Sequence, residues 1–377
     1  MKWEKKKLCE CTEYITDGDH QPAPKADKGV HFIKIKDIVN NQVSFDAQVY
    51  VPQEYYDNLP MERKPQKEDV LYTIVGSFGI PSYVQTDELF CFERNIALLH
   101  PNKDIEPRFL YYSLKNPAFY KGVEIVANGS AQKLIPLSKL KDLKILVPDK
   151  EAQRHIADIL SAYDDLIENN QKQIKLLEEA AQRLYKEWFV DLRFPGHENT
   201  KIVDGVPEGW SRGLLKELIS VNYGKDHKKA PDDGNIPVYG SGGLMRKCNK
   251  SLFSGEAVLI PRKGSLNNIM YVDETFWTVD TMFYATMKQP HTAVFVYFFV
   301  KAFDMYSMNI GAAVPSMTTK ILDAMDVVIP DKETLEKFDK LTKTYFNKIK
   351  TLQGQNERLK IARDLLLPKL MSGEVEV

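Results

Sequence analysis

The sequence predicts an α+β protein in which two similar mixed α/β domains are separated by two long antiparallel coiled-coil helices, with a pseudo-twofold internal duplication. The main observation is a repeat: Val147-Pro148-Asp149-Lys150-Glu151 returns as Ile329-Pro330-Asp331-Lys332-Glu333, 182 positions later in a chain of 377 residues. A charged segment with helical periodicity follows each copy. Solenoids and propellers have sequence repeats of roughly 20–50 residues. The longer period therefore indicates duplication of a unit made of one globular domain and one long helix.

Shorter matches support the duplication. Gly129-Ser130-Ala131 returns as Gly311-Ala312-Ala313 at the same offset, and Val70-Leu71-Tyr72 returns as Val258-Leu259-Ile260 at an offset of 188. The predicted boundaries are residues 1–148 for the first globular domain, 149–193 for the first long helix, 194–330 for the second globular domain, and 331–377 for the second long helix with the C-terminal tail.

The first long helix is expected to begin at Asp149, because aspartate is a favourable N-cap. It should stop before Phe194-Pro195-Gly196, whose last two residues break helices. The second helix should begin at the equivalent Asp331, and Pro368 should kink or end it.

Each helix carries one mainly apolar stripe with spacings of four and three residues, which is typical of a coiled coil. Antiparallel pairing under the twofold requires partners whose residue numbers have a constant sum. Placing Asn170 opposite Asn356 sets that sum at 526, and a buried polar pair of this kind fixes register. The predicted seam residues are Ile156, Leu160, Ile167, Asn170, Ile174, Leu177, Trp188, Phe338, Tyr345, Ile349, Leu352, Asn356, Leu359, Leu366 and Leu370.

The globular halves read as strands with short helices, because runs rich in β-branched and aromatic residues alternate with Gly, Asn and Pro. The predicted strands are Val30–Lys36, Val70–Val75, Gly255–Ile260, Ile269–Val272 and Phe283–Met287. The aromatic segments Phe109–Leu114 and Phe295–Val300 occupy matching places and are predicted to be helices.

Composition indicates an ordinary soluble protein, with 43% hydrophobic and 27% charged residues. The basic segment Met1–Lys7 has no apolar run behind it, so we expect no signal peptide. The longest apolar run, Thr292–Val300, is too short to span a bilayer and fits a buried helix or strand. Four cysteines are scattered along the chain, which suggests reduced, mostly buried thiols in a cytoplasm.

No residue pattern for catalysis or metal binding is evident. Tyr239–Gly243 lacks both the dinucleotide fingerprint and the Walker lysine. The two Pro-Asp-Lys-Glu copies lack the Glu-x-Lys of a nuclease, and the seven histidines have no metal-ligand spacing. The chain is therefore predicted to bind and position rather than to catalyse, with no metal and no cofactor of its own.

The net charge of −1 argues mildly against a nucleic-acid partner, but a neutral chain can still segregate its charges. The segment Tyr223–Asn268 carries eight Lys or Arg against four Asp or Glu. A basic surface on the second globular domain is therefore expected.

Three segments resemble one known family, the DNA-specificity subunits of type I restriction-modification systems. They are Leu184–Pro195 (LYKEWFVDLRFP), Leu365–Glu374 (LLLPKLMSGE) and Gly234–Gly240 (GNIPVYG). The order of parts agrees over the whole chain. The family also shows an Arg-x-Gly-Ser-x-Gly turn; this chain has Ile74 in place of the arginine in the first half, and Asn267 in place of the last glycine in the second.

The resemblance implies two target-recognition domains, each of which reads one half of a split double-stranded DNA sequence. It also implies that two methyltransferase subunits bind the helices and methylate adenine N6, and that translocase-nuclease subunits join them to cut unmodified DNA, as in defence against phage. S-adenosylmethionine, ATP and magnesium would belong to those partners. The location implied is the cytoplasm of a bacterium or archaeon, with no membrane partner.

Candidate DNA-binding residues are the basic and amide side chains on loops, since these contact phosphates and base edges. In the first domain they are His20, Lys34, Lys36, Ser130, Gln132 and Lys133. In the second they are Lys225, Lys228, Lys229, Arg262, Lys263, Asn267 and Asn268.

Two other functions stay open from the sequence. A stand-alone DNA-binding regulator would also use paired heads, although it would normally carry a helix-turn-helix and dimerise. A specificity module for an orphan methyltransferase without a nuclease is the other alternative. A methyltransferase gene beside this one would favour a methyltransferase-linked function over the regulator.

Overall fold

The computed structural model describes residues 2–127, 133–308 and 316–377. The chain forms two compact units, one of Met1–Asn170 with Gly354–Val377 and the other of Gln171–Gln353. Each unit therefore contains one globular domain and half of each long helix. Among the described residues, no helix has the length and apolar character needed to cross a membrane.

The globular part of the first unit is mainly β. Its strands are β1 (Glu4–Lys7), β2 (Thr12–Asp17), β3 (Val30–Ile33), β4 (Ile38–Val39), β5 (Gln42–Val43), β6 (Tyr50–Val51), β7 (Val70–Thr73), β8 (Pro81–Tyr83), β9 (Phe90–Phe92), β10 (Ile96–Pro101) and β11 (Lys144–Val147). Its helices are α1 (Leu8–Cys11), α2 (Gln53–Asp57), α3 (Pro107–Lys115), α4 (Pro117–Val126) and α5 (Leu137–Asp142). The main sheet has the strand order β2-β10-β7-β8.

The first long helix, α6 (Lys150–Tyr185), continues as a π-helical turn over Lys186–Val190. The strands that follow are β12 (Ile202–Val203), β13 (Val206–Pro207), β14 (Ser211–Leu214), β15 (Ile219–Tyr223), β16 (Ile236–Gly240), β17 (Gly243–Cys248), β18 (Phe253–Pro261), β19 (Met270–Thr278), β20 (Met282–Met287) and β21 (Asp326–Ile329). The remaining helices are α7 (Ala293–Lys301), α8 (Thr319–Asp323) and the second long helix α9 (Lys332–Ser372).

The sheets show the internal duplication directly. In the second unit the strand order β15-β20-β18-β19 matches β2-β10-β7-β8 of the first. A parallel pairing extends each sheet system in the same place, β3 with β9 and β16 with β19. A separate two-stranded ladder also recurs, β1 with β11 and β14 with β21. The two globular domains are therefore two versions of one fold.

The two aromatic helices that the sequence predicts are present and buried. α3 places Phe109 and Leu110 in the core of the first unit, and α7 places Val294 and Phe295 in the core of the second. The apolar run Thr292–Val300 thus belongs to a buried helix.

Some predicted strands have different ends. The alternating run Val30–Lys36 is a strand only to Ile33, because a 3-10 helix follows at Ile35–Asp37. The Asp37 carboxylate accepts a hydrogen bond from the Lys34 backbone N–H at 3.0 Å and stabilises the start of this helix.

Both long helices are capped by the aspartates that the sequence indicates. Asp149 Oδ1 accepts the backbone N–H of Ala152 at 3.0 Å, and Asp331 Oδ1 accepts that of Thr334 at 3.0 Å. Each carboxylate satisfies an N–H that the first helical turn leaves unpaired.

The expectation that Pro368 could end the second helix is wrong, because α9 continues through Pro368 to Ser372. A proline costs the helix one hydrogen bond. The residues around it outweigh that loss, since Leu367, Leu370 and Met371 are all buried in the core of the first unit.

Candidate nucleic-acid interface

Loops meet at one end of the main sheet of the second domain. The backbone N–H of Arg262, just after β18, donates to Thr281 O at 2.8 Å in the turn between β19 and β20. The Asn268 amide donates to Ser241 O at 2.9 Å in the β16–β17 hairpin. These contacts hold the β18–β19 loop against two neighbouring turns, and we call this surface the loop end.

An arginine and a tyrosine stack at this loop end. The Arg262 guanidinium carbon lies 5.5 Å from the centre of the Tyr223 ring, and its Nη1 donates to Asp280 O at 3.4 Å. The Tyr223 ring is 54% exposed. The cation–π contact holds the guanidinium in place at the surface, where it can meet an anionic or planar partner.

The predicted lysines of the second domain lie on adjoining loops. Lys225, Lys228 and Lys263 are exposed, and Lys229 belongs with Lys228 to the 3-10 helix His227–Lys229. The backbone of Lys225 is fixed, because its carbonyl accepts the Trp277 indole N–H at 3.0 Å. The exposed Lys225, Lys228 and Lys263 give the loop end a positive side.

The two predicted asparagines hold the β18–β19 loop together. The Asn267 amide donates to Asp304 Oδ1 at 3.0 Å, and its oxygen accepts the Met305 N–H at 2.8 Å. The contact of Asn268 with Ser241 is described above. In this structure both side chains therefore shape the loop that carries Lys263.

The same end of the first domain is built differently. Lys133 is exposed, its Nζ lies 5.3 Å from the centre of the Phe78 ring, and its carbonyl accepts the Gly76 N–H at 3.3 Å. Glu124 is 3.4 Å from the Lys133 ammonium and partly neutralises it. The other two residues predicted on this loop, Ser130 and Gln132, lie outside the described residues.

The remaining predicted residues of the first domain surround the turn after β9. Lys36 is exposed in the 3-10 helix that Lys34 precedes, and the Ile35 N–H of that helix donates to Glu93 Oε1 at 2.7 Å. His20 is 60% exposed and lies 3.2 Å from Asp17. Asp19, the residue before His20, forms an isolated parallel bridge with Glu93, so both segments lie beside the β9–β10 turn.

Not every charge at this end is available to a partner. Burial works to raise the pKa of Asp19, but hydrogen bonds from Gln21 and Tyr55, together with the charge of Arg63, outweigh it and lower that pKa. Arg63 lies 3.1 Å from this carboxylate, so its charge serves the domain itself.

The described part of the chain has no metal-binding cluster, and its cysteine thiols are free. Within residues 2–127, 133–308 and 316–377, no group of three or more His, Cys, Asp or Glu side chains could hold a metal ion. All four cysteines are free thiols; Cys9 is exposed and the others are buried. Burial raises the pKa of Cys11 to about 11, which keeps this thiol protonated.

The helix seam has its polar pair in the first unit. Asn170 Nδ2 donates to Asn356 Oδ1 at 2.8 Å, and Asn356 Nδ2 donates to Ile167 O at 3.4 Å. Their exposures are 2% and 5%. On the same side, Ile156 and Leu160 share a core with Leu370. Residue numbers rise on one helix as they fall on the other, so this half of the pair is antiparallel.

The seam of the second unit is aromatic. The ring centres of Trp188 and Phe338 are 5.8 Å apart, and the constant sum of 526 predicts this partner. Ala181 and Tyr345 belong to the same core. Also in this unit, Ile349 and Leu352 are buried, and Ile174 and Leu177 are half-buried. Leu359 and Leu366, in the seam of the first unit, are half-buried too.

The two polar seam positions of α9 that lack an asparagine partner are also satisfied. The Thr342 hydroxyl donates to Phe338 O at 2.8 Å, one turn back in the same helix. Arg363 forms ion pairs with Asp164 on α6 and with Asp364 beside it. Polar groups thus enter the seam only where a partner is present.

Tyr223 is the residue of this surface that inspection of the sequence missed. In the sequence it only marks the start of the basic segment Tyr223–Asn268. Tyr223 lies at the end of β15, five residues before Lys228. Its contact with Arg262 is not predictable from the sequence, because no local pattern indicates that these two residues meet.

Comparison with known proteins identifies the family. The model of the type I restriction modification DNA specificity domain matches residues 1–179 and again 207–360. The chain therefore belongs to this family, whose members are non-catalytic specificity subunits of type I restriction-modification systems.

Curated relatives agree with this assignment. The chain is 27% identical to the type I restriction enzyme MjaIX specificity subunit of Methanocaldococcus jannaschii, over 75% of this chain and 72% of that protein. It is 24% identical to the HindI specificity subunit of Haemophilus influenzae, over 92% and 94%. The crystal structure of the S subunit from M. genitalium has the same fold, with a TM-score of 0.65 at 19% identity, over 98% of this chain and 96% of that one.

Proposed function

We propose that each globular domain reads one half of a bipartite double-stranded DNA target with the loop end of its main sheet. The observation that carries this proposal is the stacked pair Arg262–Tyr223 in the second domain, held at the surface beside exposed Lys225 and Lys263. Arginine and lysine on loops contact phosphates and base edges in a groove. The chain itself transfers no methyl group and cuts no DNA.

The two loop ends share a backbone frame but differ in their side chains. Position for position, Tyr223 at the end of β15 corresponds to Asp17 at the end of β2, since each pairs with the second residue of the next sheet strand, Phe283 or Ala97. Different side chains in one frame support two half-sites of different sequence.

We propose that the long helices bind two methyltransferase subunits, with translocase-nuclease subunits joining the full complex. Ile361 and Leu365 on α9 are 60% and 65% exposed and lie four positions apart, on one helix face. An exposed apolar pair on a paired helix supports a protein partner. The DNA-reading domains would then be residues 1–148 and 194–330, and the subunit-binding helices residues 149–193 and 331–377. The complex would act in the cytoplasm of a bacterium or archaeon.

In such a complex the chain would position the enzyme over its target. Methylation of adenine N6 requires the base to leave the DNA stack, which costs about a few kcal/mol. Contacts in both half-sites would hold the duplex while one base is displaced. S-adenosylmethionine, ATP and magnesium would be bound by the partner subunits.

The test is co-purification of this chain with a type I methyltransferase subunit from the same organism, followed by methylation assays on DNA from cells that lack both genes. We expect a stable complex and methylated adenines only when both proteins are present. Methyl transfer by the highly purified chain alone would contradict the proposal. Binding of DNA without any association with a methyltransferase would instead indicate a stand-alone regulator.

A further inference from the structure

The turn between β9 and β10 in the first domain has the same hydrogen bond as the turn between β19 and β20 in the second. In Glu93–Ile96 the last N–H donates to the first carbonyl at 3.1 Å, and in Val279–Met282 the same hydrogen bond is 3.0 Å long. Each turn leads into the strand that is second in the order of its sheet, β10 or β20. The residues of the two turns therefore correspond one to one.

The neighbouring strand is attached to each turn in the same way. The Ile74 N–H donates to Asn95 O at 2.9 Å in the first domain, and the Arg262 N–H donates to Thr281 O at 2.8 Å in the second. The next residue on each strand forms an isolated antiparallel bridge, Val75 with Leu134 and Lys263 with Ser316. Ile74 thus occupies the place of Arg262.

The same correspondence matches Arg94 with Asp280, since each follows the first residue of its turn. Ile74 is only 4% exposed and belongs to the core, so it offers nothing to a partner. In the second domain the Arg262 guanidinium reaches across to Asp280 O at 3.4 Å. The arginine of the first domain is instead carried by the turn itself, at the position that Arg262 approaches.

Arg94 is exposed, and within residues 2–127, 133–308 and 316–377 it forms no hydrogen bond, ion pair or ring contact. The acidic groups beside it are engaged elsewhere. Glu93 Oε1 accepts the Ile35 N–H, and Asp19 accepts hydrogen bonds from Tyr55 and Arg63. Nothing in the described part of the chain therefore neutralises the positive charge at the tip of this turn.

We propose that Arg94 contacts a DNA phosphate in the first half-site and supplies there the charge that Arg262 supplies in the second. The inference rests on the proposed function, because it uses the loop end as the DNA surface. A guanidinium forms charge-assisted hydrogen bonds to phosphate oxygens. An exposed side chain at a turn tip has the reach for a backbone contact, which positions the domain on the duplex.

The experiment measures binding of the full chain, in complex with its methyltransferase subunit, to the target duplex as a function of salt concentration. For R94A we expect the slope of log affinity against log salt to be shallower by about 0.9, the value of one phosphate contact in B-DNA. The loss should be equal for the target and for a duplex with an altered first half-site. R94K should keep most of the slope.

An unchanged affinity and slope in R94A would overturn the inference, as would a loss confined to one base pair, which would indicate base reading. Lys103, an exposed residue beyond the opposite end of β10, provides the matched control, and K103A should bind like the unmodified chain.

Two variants of the second domain separate this inference from the proposed function. R262A should also lose about one phosphate contact, and adding D280R to it should restore the slope by placing the guanidinium on the turn, as in the first domain. Asp280 is exposed, so the fold tolerates this change. If both R262A and R94A bind normally, the loop end itself is wrongly assigned. If only R94A binds normally, the inference about Arg94 alone fails.

Discussion

The pair Asn170–Asn356 shows how one buried hydrogen bond can define a register. Both amides are almost fully buried, and the hydrogen bond between them is 2.8 Å long. An antiparallel pair shifted by one turn would leave both amides unsatisfied, which costs about 1–3 kcal/mol for each group.

We therefore expect N170A to lower the free energy of unfolding of the first unit by about 1–3 kcal/mol, because the buried side-chain oxygen of Asn356 loses its donor. Chemical denaturation of the full chain, followed by hydrogen exchange of amides in 354–370, would measure this. The double variant N170L/N356L should recover most of the loss, since replacing both members of a buried polar pair is often neutral. A single variant as stable as the unmodified chain would contradict this role.

Asp331 combines two functions at the start of α9. Its Oδ1 caps the helix through Thr334, and its Oδ2 accepts the Trp210 indole N–H at 2.9 Å. Burial works to raise the pKa of this carboxyl, but hydrogen bonds from Thr334 and Trp210 outweigh it and lower that pKa below its usual range. The charged form is therefore favoured by folding.

Replacing Asp331 with alanine should cost about 1 kcal/mol of stability, typical for the loss of an N-cap. A carboxyl whose pKa is lowered by folding stabilises the fold above its unfolded pKa, and this contribution is lost as pH falls through the folded value. The difference between D331A and the unmodified chain should thus be constant from pH 7 to about 4 and shrink below that. Denaturation at several pH values would show it; a difference that grew with acidity would refute the assignment.

At the residue scale, the sequence indicates which residue types could contact DNA but not which of them are free. Asn267 and Asn268 fit base reading by type, yet their amides hold a loop to Asp304, Met305 and Ser241. Arg94 carries no motif, and its correspondence with Asp280 appears only when the two turns are compared in three dimensions. Whether a polar side chain is free to contact DNA therefore depends on residues that are distant in the sequence.

At the element scale, an aromatic cluster joins the second half of the helix pair to its domain. Phe338 on α9 is completely buried, 4.8 Å from the ring centre of Phe189 and 5.8 Å from that of Trp188. Tyr185 in turn packs on Phe298 of α7 at 5.5 Å. The π-helical turn Lys186–Val190 presents Trp188 and Phe189 to this cluster.

The variant F338A should destabilise the second unit by about 3–5 kcal/mol, because it removes a buried ring and leaves a cavity. Hydrogen exchange should increase for amides in α7 and in 332–353. L341A, at an exposed position on the same helix, is the control and should have little effect. Equal, small effects for both variants would show that the cluster does not stabilise this unit.

The sequence predicts helices better than short strands in this chain. Both long helices are predictable, because their heptad periodicity persists over many turns and each aspartate cap lies next to the segment that it caps. Strand β1 (Glu4–Lys7) could not be predicted, since a run of glutamate and lysines has no apolar alternation. It forms because its backbone pairs with Lys144–Val147, some 140 positions away, and pairing at that distance leaves no local signal.

At the scale of the whole molecule, the duplication is the property from which function follows. One fold occurs twice in one chain, with the same strand order and the same capped helix after each copy. The two loop ends differ at the positions of Tyr223, Arg262 and Asp280. Under the proposed function, two different loop ends should recognise an asymmetric, divided sequence.

The most direct measurement is a genome-wide map of methylated adenines in cells that carry this chain with its methyltransferase, made once with the unmodified chain and once with loop 262–269 replaced. We predict a discontinuous motif with two unlike halves, of which the loop replacement alters one and preserves the other. A continuous motif, or a change in both halves together, would contradict the account of two independent reading domains.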